Sequence, residues 1–286
     1  MSNNLTLVIG ATGKTGSRVA AKLDARGVRV RRGSRKSATP FDWEAPETWA
    51  PALEGVTSAY ITYFPDLAFP GAVDKLDSLC ETAKDAGVGH LVLLSGRGEH
   101  HAQHGEDVVR SSGVDFTIVR AAWFAQNFSE GYLRDPVLAG LLPAPGGDVT
   151  EPIIDVEDIA DVVVAALTED GHKGKLYEVT GPELLSFADM AAILTAATGR
   201  DIRHTPISFA DFHANIARSG GRFVADVFTA IARETLDGRN ATLTDGVQRA
   251  LGRPARNFAD FATHAARSGC WSVAAAEPVH VVSEGI

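Results

Sequence analysis

The chain has 286 residues, of which 45% are hydrophobic, and a formal net charge of −9 at pH 7. This length supports one large α/β domain or two packed lobes, and it excludes a small scaffold held together by disulfides. The acidic balance argues against a nucleic-acid partner, and two cysteines, Cys80 and Cys270, are too few for a cysteine zinc site. With no secretion signal and no apolar run of about 18 residues, the sequence predicts a cytoplasmic protein without membrane contact.

Strand-like and helical segments alternate in the first half of the chain. Apolar runs of strand length occupy residues 5–9, 59–63, 91–94 and 116–119, and segments of helical periodicity occupy residues 17–26, 72–86 and 106–111. The alternation predicts βαβ units with right-handed crossovers. We therefore expect the α/β class, with residues 1–130 forming a Rossmann-like, doubly wound parallel sheet.

Helical patterns dominate after residue 130. A helix is expected to begin at Asp155, a second to cover residues 187–198 before Gly199, and a third to cover residues 209–236 with an interruption at Gly220-Gly221. We expect residues 131–273 to form a smaller, mostly helical substrate lobe with segments that return to the sheet. Residues 274–286 are expected to form a flexible tail.

A glycine-rich turn links the first strand to the first helix. Gly10 permits a tight turn, Gly13 lets backbone N–H groups approach a diphosphate, and Gly16 allows helix and strand to pack closely. The strand–turn–helix context makes a dinucleotide site a better interpretation than ordinary turn glycines. The cofactor-binding residues predicted in this turn are Gly10, Thr12, Gly13, Lys14, Thr15 and Gly16.

A cluster of cations at the second strand favours NADP(H) over NAD(H). No carboxylate stands where an NAD site would bind the ribose hydroxyls, whereas residues 28–36 contain five cations and a hydroxyl. Ser34, Arg35 and Lys36 are the predicted 2′-phosphate ligands, with a solvated basic patch as the alternative. Asp42 is predicted to border the adenine, and its alternative role is that of a surface acid.

Five segments carry a resemblance that covers nearly the entire chain: residues 10–16, residues 41–43 together with 48–49, and residues 112–120, 123–128 and 181–186. Through them the chain resembles the NmrA-like atypical short-chain dehydrogenases. It is most similar to the branch of festuclavine synthase and agroclavine dehydrogenase, and next to the quinone-reducing members. The resemblance implies a Rossmann domain that binds NAD(P)(H) and a small C-terminal lobe that closes over an organic substrate. Ala121 departs from the family, which commonly has proline there.

The catalytic pair of ordinary short-chain dehydrogenases is missing, because none of the four tyrosines is followed four positions later by lysine. Ser95, at the carboxyl end of a strand, is the best polar site residue, with a strand-end cap as its alternative role. His101 and His104 are candidate proton donors, or else solvated loop histidines. Their spacing does not indicate a metal site.

The remaining site residues are predicted from their position after strands. Pro65 is expected along the cofactor ribose, and Ala121 and Ala122 are expected to offer backbone groups to the nicotinamide carboxamide. Ser95 is also predicted to bind the cofactor, at the carboxyl edge of the sheet. An aromatic loop suits a flat, conjugated substrate, with core packing as the alternative. The predicted substrate-binding residues are Trp123, Phe124, Asn127 and Phe128.

Three functions are compatible with these features. The first is an NAD(P)H-dependent oxidoreductase that transfers hydride to or from a quinone, an iminium or a similar conjugated small molecule. The second is a non-catalytic NAD(P) sensor that binds a protein partner, and the third is an aromatic polyketide tailoring enzyme that oxygenates or rearranges its substrate. The sequence allows a homodimer in each case.

Overall fold

The computed structural model describes residues 4–272, so the tail predicted at 274–286 lies outside the described residues. The strands are β1 (Leu5–Ile9), β2 (Arg29–Gly33), β3 (Ser58–Ile61), β4 (His90–Gly96), β5 (Asp115–Ala121), β6 (Leu141–Ala144), β7 (Thr150–Glu151), β8 (Lys175–Val179), β9 (Leu185–Ser186) and β10 (Arg203–Pro206). The helices are α1 (Lys14–Ala25), α2 (Trp49–Leu53), α3 (Ala72–Asp85), α4 (His100–Ser111), α5 (Asn127–Glu130), α6 (Arg134–Leu138), α7 (Val156–Thr168), α8 (Phe187–Thr198), α9 (Phe209–Thr235), α10 (Gly246–Leu251) and α11 (Phe258–Arg267). In residues 4–272 no helix has the length and apolar character required to cross a membrane.

Six strands form a parallel central sheet in the order β2-β1-β3-β4-β5-β8. The expected Rossmann-like, doubly wound α/β fold is confirmed. Successive side chains of β4 point to opposite faces of the sheet, and helices cover both faces. Leu91 and Leu93 join a core with α3 and α4, whereas Val92 joins a core with α1 and α7. Strands buried on both faces are apolar throughout, which is why the sequence reads as continuous hydrophobic runs.

The arginine-rich strand β2 lies at the edge of the sheet. An edge strand is exposed along one side, which explains how β2 can contain three arginines. The Arg31 guanidinium donates to the carbonyls of Ala52 (2.8 Å) and Glu54 (2.7 Å), where α2 ends, and Arg32 pairs with Asp24. Both arginines therefore have structural partners.

A third core supports the later part of the chain. It includes the fully buried Phe128 and Phe187 and the aromatic neighbours Phe258 and Trp271. The expected break in the long helix is confirmed, because α9 has a non-helical residue at Gly221, with φ of 79°. Helix α7 packs against α1 and β8 joins the sheet, so the chain returns to the first layer after residue 131.

Candidate functional site

The glycine turn after β1 has the close approaches that its spacing predicts. Gly10 has φ of 69°, in the left-handed region, and its N–H donates to the carbonyl of Gly33 at 3.0 Å. The Gly13 N–H donates to the carbonyl of Gly10 at 2.8 Å, which closes the turn. A Cβ on Gly16 would overlap that same carbonyl, so the contact between turn and helix requires glycine.

The N-terminus of α1 is open to an anion. Gly13 precedes the helix without a side-chain cap, and the first turn contains no acidic residue. Its free N–H groups and positive dipole end favour negative charge. Burial lowers the pKa of Lys14, against the attraction of the Glu130 carboxylate. Thr15 is buried and Thr12 is exposed. These residues fit the diphosphate of NAD(P)H.

Two cations beyond β2 are available to a ligand. Arg35 and Lys36 are exposed and make no ion pair within residues 4–272. The Ser34 hydroxyl lies 2.7 Å from the Ser37 hydroxyl. The Asp42 carboxylate accepts the backbone N–H of Glu44 at 3.0 Å, so it shapes its own turn. Since Arg31 and Arg32 already have protein partners, fewer than the five cations of residues 28–36 are available to a ligand at the end of β2.

Ser95 belongs to a buried ionic network. Its hydroxyl donates to Oε1 of Glu106 at 2.7 Å, between β4 and α4, and only 4% of the residue is exposed. Glu106 is fully buried and accepts two hydrogen bonds from Arg120, at 2.8 and 2.6 Å, and one from Arg110. The Ser95 hydroxyl proton is held inside this network, so the geometry does not support the predicted catalytic and cofactor-binding roles of Ser95.

His101 and His104 lie on the exposed side of α4. Their ring centroids are 6.1 Å apart at a near-perpendicular angle. Within the described residues neither ring receives a hydrogen bond that would direct it to the strand ends. Their role as proton donors stays a prediction. No group of three or more His, Cys, Asp or Glu side chains in this part of the chain is arranged to hold a metal ion.

In the region predicted to bind the nicotinamide, some backbone groups already form hydrogen bonds within the protein. Pro65 is exposed after β3, whereas Ala121 and Ala122 are buried. The Ala121 carbonyl accepts the Arg97 N–H, and the Ala122 N–H donates to the carbonyl of Val179, both at 3.0 Å. The Ala122 N–H is therefore not free to bind a carboxamide oxygen.

The aromatic loop divides between surface and core. Trp123 and Phe124 are half-buried, and Asn127 is half-buried at the start of α5. Phe128 is completely buried and its ring lies 5.1 Å from that of Phe258. This placement corrects the prediction of a substrate-binding Phe128, because a side chain packed on every side has no surface left for a ligand.

Two carboxyl groups at the strand ends were not among the site residues predicted from the sequence. Asp66 follows β3, and Glu99 lies between β4 and α4. A Cβ on Gly96 would overlap the Glu99 carboxyl group, which therefore rests directly on the end of β4. Burial raises the pKa of Glu99 well above its usual range, and the adjacent Asp66 carboxyl raises it further. An acidic residue after each of two apolar runs was the available signal, since ligands of such sheets bind there.

A cavity of about 760 Å³ lies beside α1 and α11. Its wall includes Arg18, Glu130 and Glu157, and Arg18 forms ion pairs with both carboxylates. Arg18 and these two carboxylates are therefore already partners of one another in the cavity wall.

Comparison with known proteins agrees with this geometry. Residues 10–170 match the family model of NAD(P)H-binding proteins. The chain belongs to this family. The predicted resemblance to festuclavine synthase is confirmed, and the chain is an NAD(P)H-dependent oxidoreductase.

The relatives of this NAD(P)H-binding protein extend over nearly its whole length. An NAD(P)H azoreductase of Xenophilus azovorans is 32% identical, over 93% of this chain and 99% of its own. Festuclavine synthase I of Penicillium roqueforti is 30% identical, over 90% of this chain and 97% of its own. A quinone oxidoreductase of Escherichia coli, solved with NADPH, shares the fold, with a TM-score of 0.73 at 21% identity, over 91% of this chain and 99% of its own.

Proposed function

We propose that this oxidoreductase uses NADPH in preference to NADH and transfers hydride to a conjugated small molecule such as a quinone, an azo compound or an iminium. The observation that carries the proposal is the glycine turn against the uncapped start of α1, where Gly16 allows no Cβ. When bound there, the reduced cofactor supplies the hydride. The protein holds the diphosphate with backbone N–H groups and the positive end of a helix.

The preference for NADPH rests on the end of β2. Arg35 and Lys36 are exposed cations without ion-pair partners among residues 4–272. They are close in sequence to Gly33, whose carbonyl accepts the N–H of Gly10 in the glycine turn. A guanidinium can form two charge-assisted hydrogen bonds with a 2′-phosphate. NADH lacks that phosphate, so these cations add nothing to its binding.

A conjugated acceptor is proposed because the tyrosine–lysine pair is missing. An acceptor that is already electrophilic requires less acid catalysis than an isolated carbonyl. The half-buried Trp123 and Phe124 offer flat apolar surfaces near the end of β5, and Asn127 adds a donor and an acceptor. Relatives named as an azoreductase and a quinone oxidoreductase support the same class of acceptor.

The test is NADPH consumption with a panel of quinones, azo dyes and cyclic iminium salts. Oxidation of NADPH that requires both the protein and one of these acceptors supports the proposal. Tight cofactor binding without turnover of any acceptor would favour the sensor, and a product that gains an oxygen atom would favour the tailoring enzyme. The named relatives favour neither alternative.

We also propose that the enzyme acts in the cytoplasm without a nucleic-acid partner. Light scattering will report whether it forms the homodimer that the sequence allows.

A further inference from the structure

Helix α1, which begins at the glycine turn, and helix α5, which follows the aromatic loop, are built into different cores. Val19 and Leu23 of α1 pack in the core that α1 shares with α7. Phe128 of α5 packs in the third core, beneath the later part of the chain. The position of α5 relative to the cofactor turn therefore depends on the contacts that join the two helices.

Arg18, in the second turn of α1, forms such a contact. Its two terminal nitrogens donate to the two carboxyl oxygens of Glu130, the last residue of α5, at 2.5 and 3.2 Å. Its Nε donates to Glu157 at the start of α7, at 2.7 Å, and one terminal nitrogen also donates to the carbonyl of Lys14 at 2.8 Å. A guanidinium that binds both oxygens of one carboxylate fixes its orientation as well as its distance. We call Arg18 and Glu130 the α1–α5 bridge.

A second contact joins α5 to the glycine turn itself. Lys14 is the first residue of α1 and Gly131 directly follows α5. A Cβ on Gly131 would stand 3.3 Å from the Nζ atom of Lys14 and 3.0 Å from the carbonyl oxygen of Asn127. The Lys14 ammonium therefore lies over the end of α5, so the turn that fits the diphosphate also touches this helix.

Helix α5 begins at a residue that is predicted to bind the acceptor. Asn127 stands three positions before Glu130, so both side chains project from the same side of one helical turn. The N–H of Asn127 donates to the carbonyl of Phe124 at 3.1 Å, which joins the helix to the aromatic loop. A contact that fixes the Glu130 carboxylate thus also fixes where Asn127 and Phe124 stand.

We propose that Arg18 is a positioning residue of the reaction: through Glu130 it holds the acceptor-binding residues of α5 and the aromatic loop at a fixed distance from the cofactor turn. This inference rests on the proposed function. Hydride transfer requires reacting atoms that lie about 3–3.5 Å apart, so a small shift of α5 reduces productive encounters. Arg18 acts through Glu130 and contacts neither the acceptor nor the hydride.

The two carboxylates that share Arg18 offer a matched comparison. Glu130 and Glu157 pair with the same guanidinium, and their side chains are 40% and 35% exposed. Glu130 belongs to α5, whereas Glu157 belongs to α7, which carries none of the predicted acceptor-binding residues. Replacing either by glutamine removes one negative charge beside Arg18, but only the change at Glu130 releases α5. The comparison therefore separates positioning from a change of local charge.

The first experiment measures cofactor affinity and acceptor turnover separately. Calorimetry gives the Kd of NADPH, and NADPH oxidation with a quinone gives kcat/KM. We expect Glu130→Gln to lower kcat/KM by about fivefold, the size of one exposed ion pair, and to leave the Kd of NADPH within about twofold. Glu157→Gln should retain the wild-type kcat/KM. Glu169→Gln, which removes the partner of Arg26 at the other end of α1, is the control and should change neither value.

The second experiment tests whether Arg18 and Glu130 act through one contact. The double variant Arg18→Gln/Glu130→Gln should lose no more kcat/KM than Arg18→Gln alone, because residues that act through their mutual contact are not additive. Arg18→Lys keeps the charge but not the planar fork, so its loss should be smaller than that of Arg18→Gln.

The third experiment needs no turnover. Amide hydrogen exchange of the protein without cofactor reports local opening of residues 123–133. We expect faster exchange of this segment in Glu130→Gln than in the wild type, and wild-type exchange in Glu157→Gln.

Three results would overturn the proposal: wild-type kcat/KM in Glu130→Gln, an equal loss in Glu157→Gln, and a loss of NADPH affinity as large as the loss of kcat/KM. Additive losses in the double variant would overturn it too. Absence of NADPH oxidation with every acceptor would overturn the proposed function. In that case faster exchange of residues 123–133 in Glu130→Gln would still support the α1–α5 bridge, and unchanged exchange would overturn it.

Discussion

Replacement of Glu151 by glutamine should change how stability depends on pH. Glu151 lies in β7, is completely buried, and neither of its carboxyl oxygens has a hydrogen-bond partner among the described residues. Burial raises the pKa of this carboxyl to about 8, in spite of the attraction of the Arg97 guanidinium, and Asp237 adds to the rise. The folded protein therefore holds the Glu151 proton much more tightly than the unfolded chain does.

The magnitude follows from the difference between the two states. Below the ordinary pKa of 4.5 the carboxyl is protonated in both states, and its contribution to stability is complete. As the pH rises towards about 8, the unfolded chain ionises while the folded chain does not. The free energy of unfolding then falls by about 1.4 kcal/mol per pH unit, or about 5 kcal/mol over the window. At pH 7 the loss is about 3 kcal/mol.

The assay is urea denaturation of the wild type and of Glu151→Gln at a series of pH values between about 5 and 8. Because glutamine cannot ionise, the variant should gain stability relative to the wild type by about 1.4 kcal/mol per pH unit. Glu183→Gln, which alters an exposed glutamate before β9, is the control and should follow the wild type. Parallel curves for Glu151→Gln and the wild type would refute the reasoning, because they would mean that Glu151 ionises as it does in the unfolded chain.

Three further predictions concern the cofactor turn and the buried network. Arg35→Ala should weaken NADP(H) binding about tenfold or more with little effect on NAD(H), and equal losses in calorimetry would contradict a phosphate contact. Gly16→Ala should cost about 1–3 kcal/mol of unfolding free energy or a matching loss of cofactor affinity, because its Cβ meets the Gly10 carbonyl; unchanged values in denaturation and titration would exclude the overlap. Ser95→Ala should lower stability by about 1.5–3 kcal/mol through its lost bond to Glu106 and retain NADPH oxidation within about twofold; a hundredfold slower reaction would return Ser95 to the mechanism.

The sequence predicts the features of this fold that depend on local periodicity and capping. Continuous apolar runs identified β1, β4 and β5, because strands of a parallel sheet are buried on both faces. Asp155 was expected to begin a helix, and its side chain accepts the N–H of Glu157 at 2.8 Å. Helix α8 ends before Gly199, which has φ of 67°, as the sequence predicted.

Pairings between distant segments could not be predicted in the same way. The short pairs β6 with β10 and β7 with β9 contain two to four residues each and have no alternating pattern. Proline occurs in β6 at Pro143 and in β10 at Pro206, where local propensity argues against a strand. The edge position of β2 also depends on the order of the sheet, which no segment specifies alone.

The residues of the candidate site also fall into those that a local pattern predicts and those that only distant pairings bring together. The glycine turn is a local motif, so its residues could be assigned from spacing alone. Asp66 and Glu99 lie in two loops after neighbouring strands, and only the order of the sheet brings these loops to the same edge. Phe128 was misassigned because an aromatic residue in a loop has the same sequence signal whether it faces a ligand or the core.

The most direct test of this account is an isothermal titration of the purified protein with NADPH. The geometry at Gly10, Gly13 and Gly16 predicts saturable binding with one site per chain, stronger for NADPH than for NADH. Absence of binding by both coenzymes, in a protein shown to be folded by circular dichroism, would contradict the cofactor site.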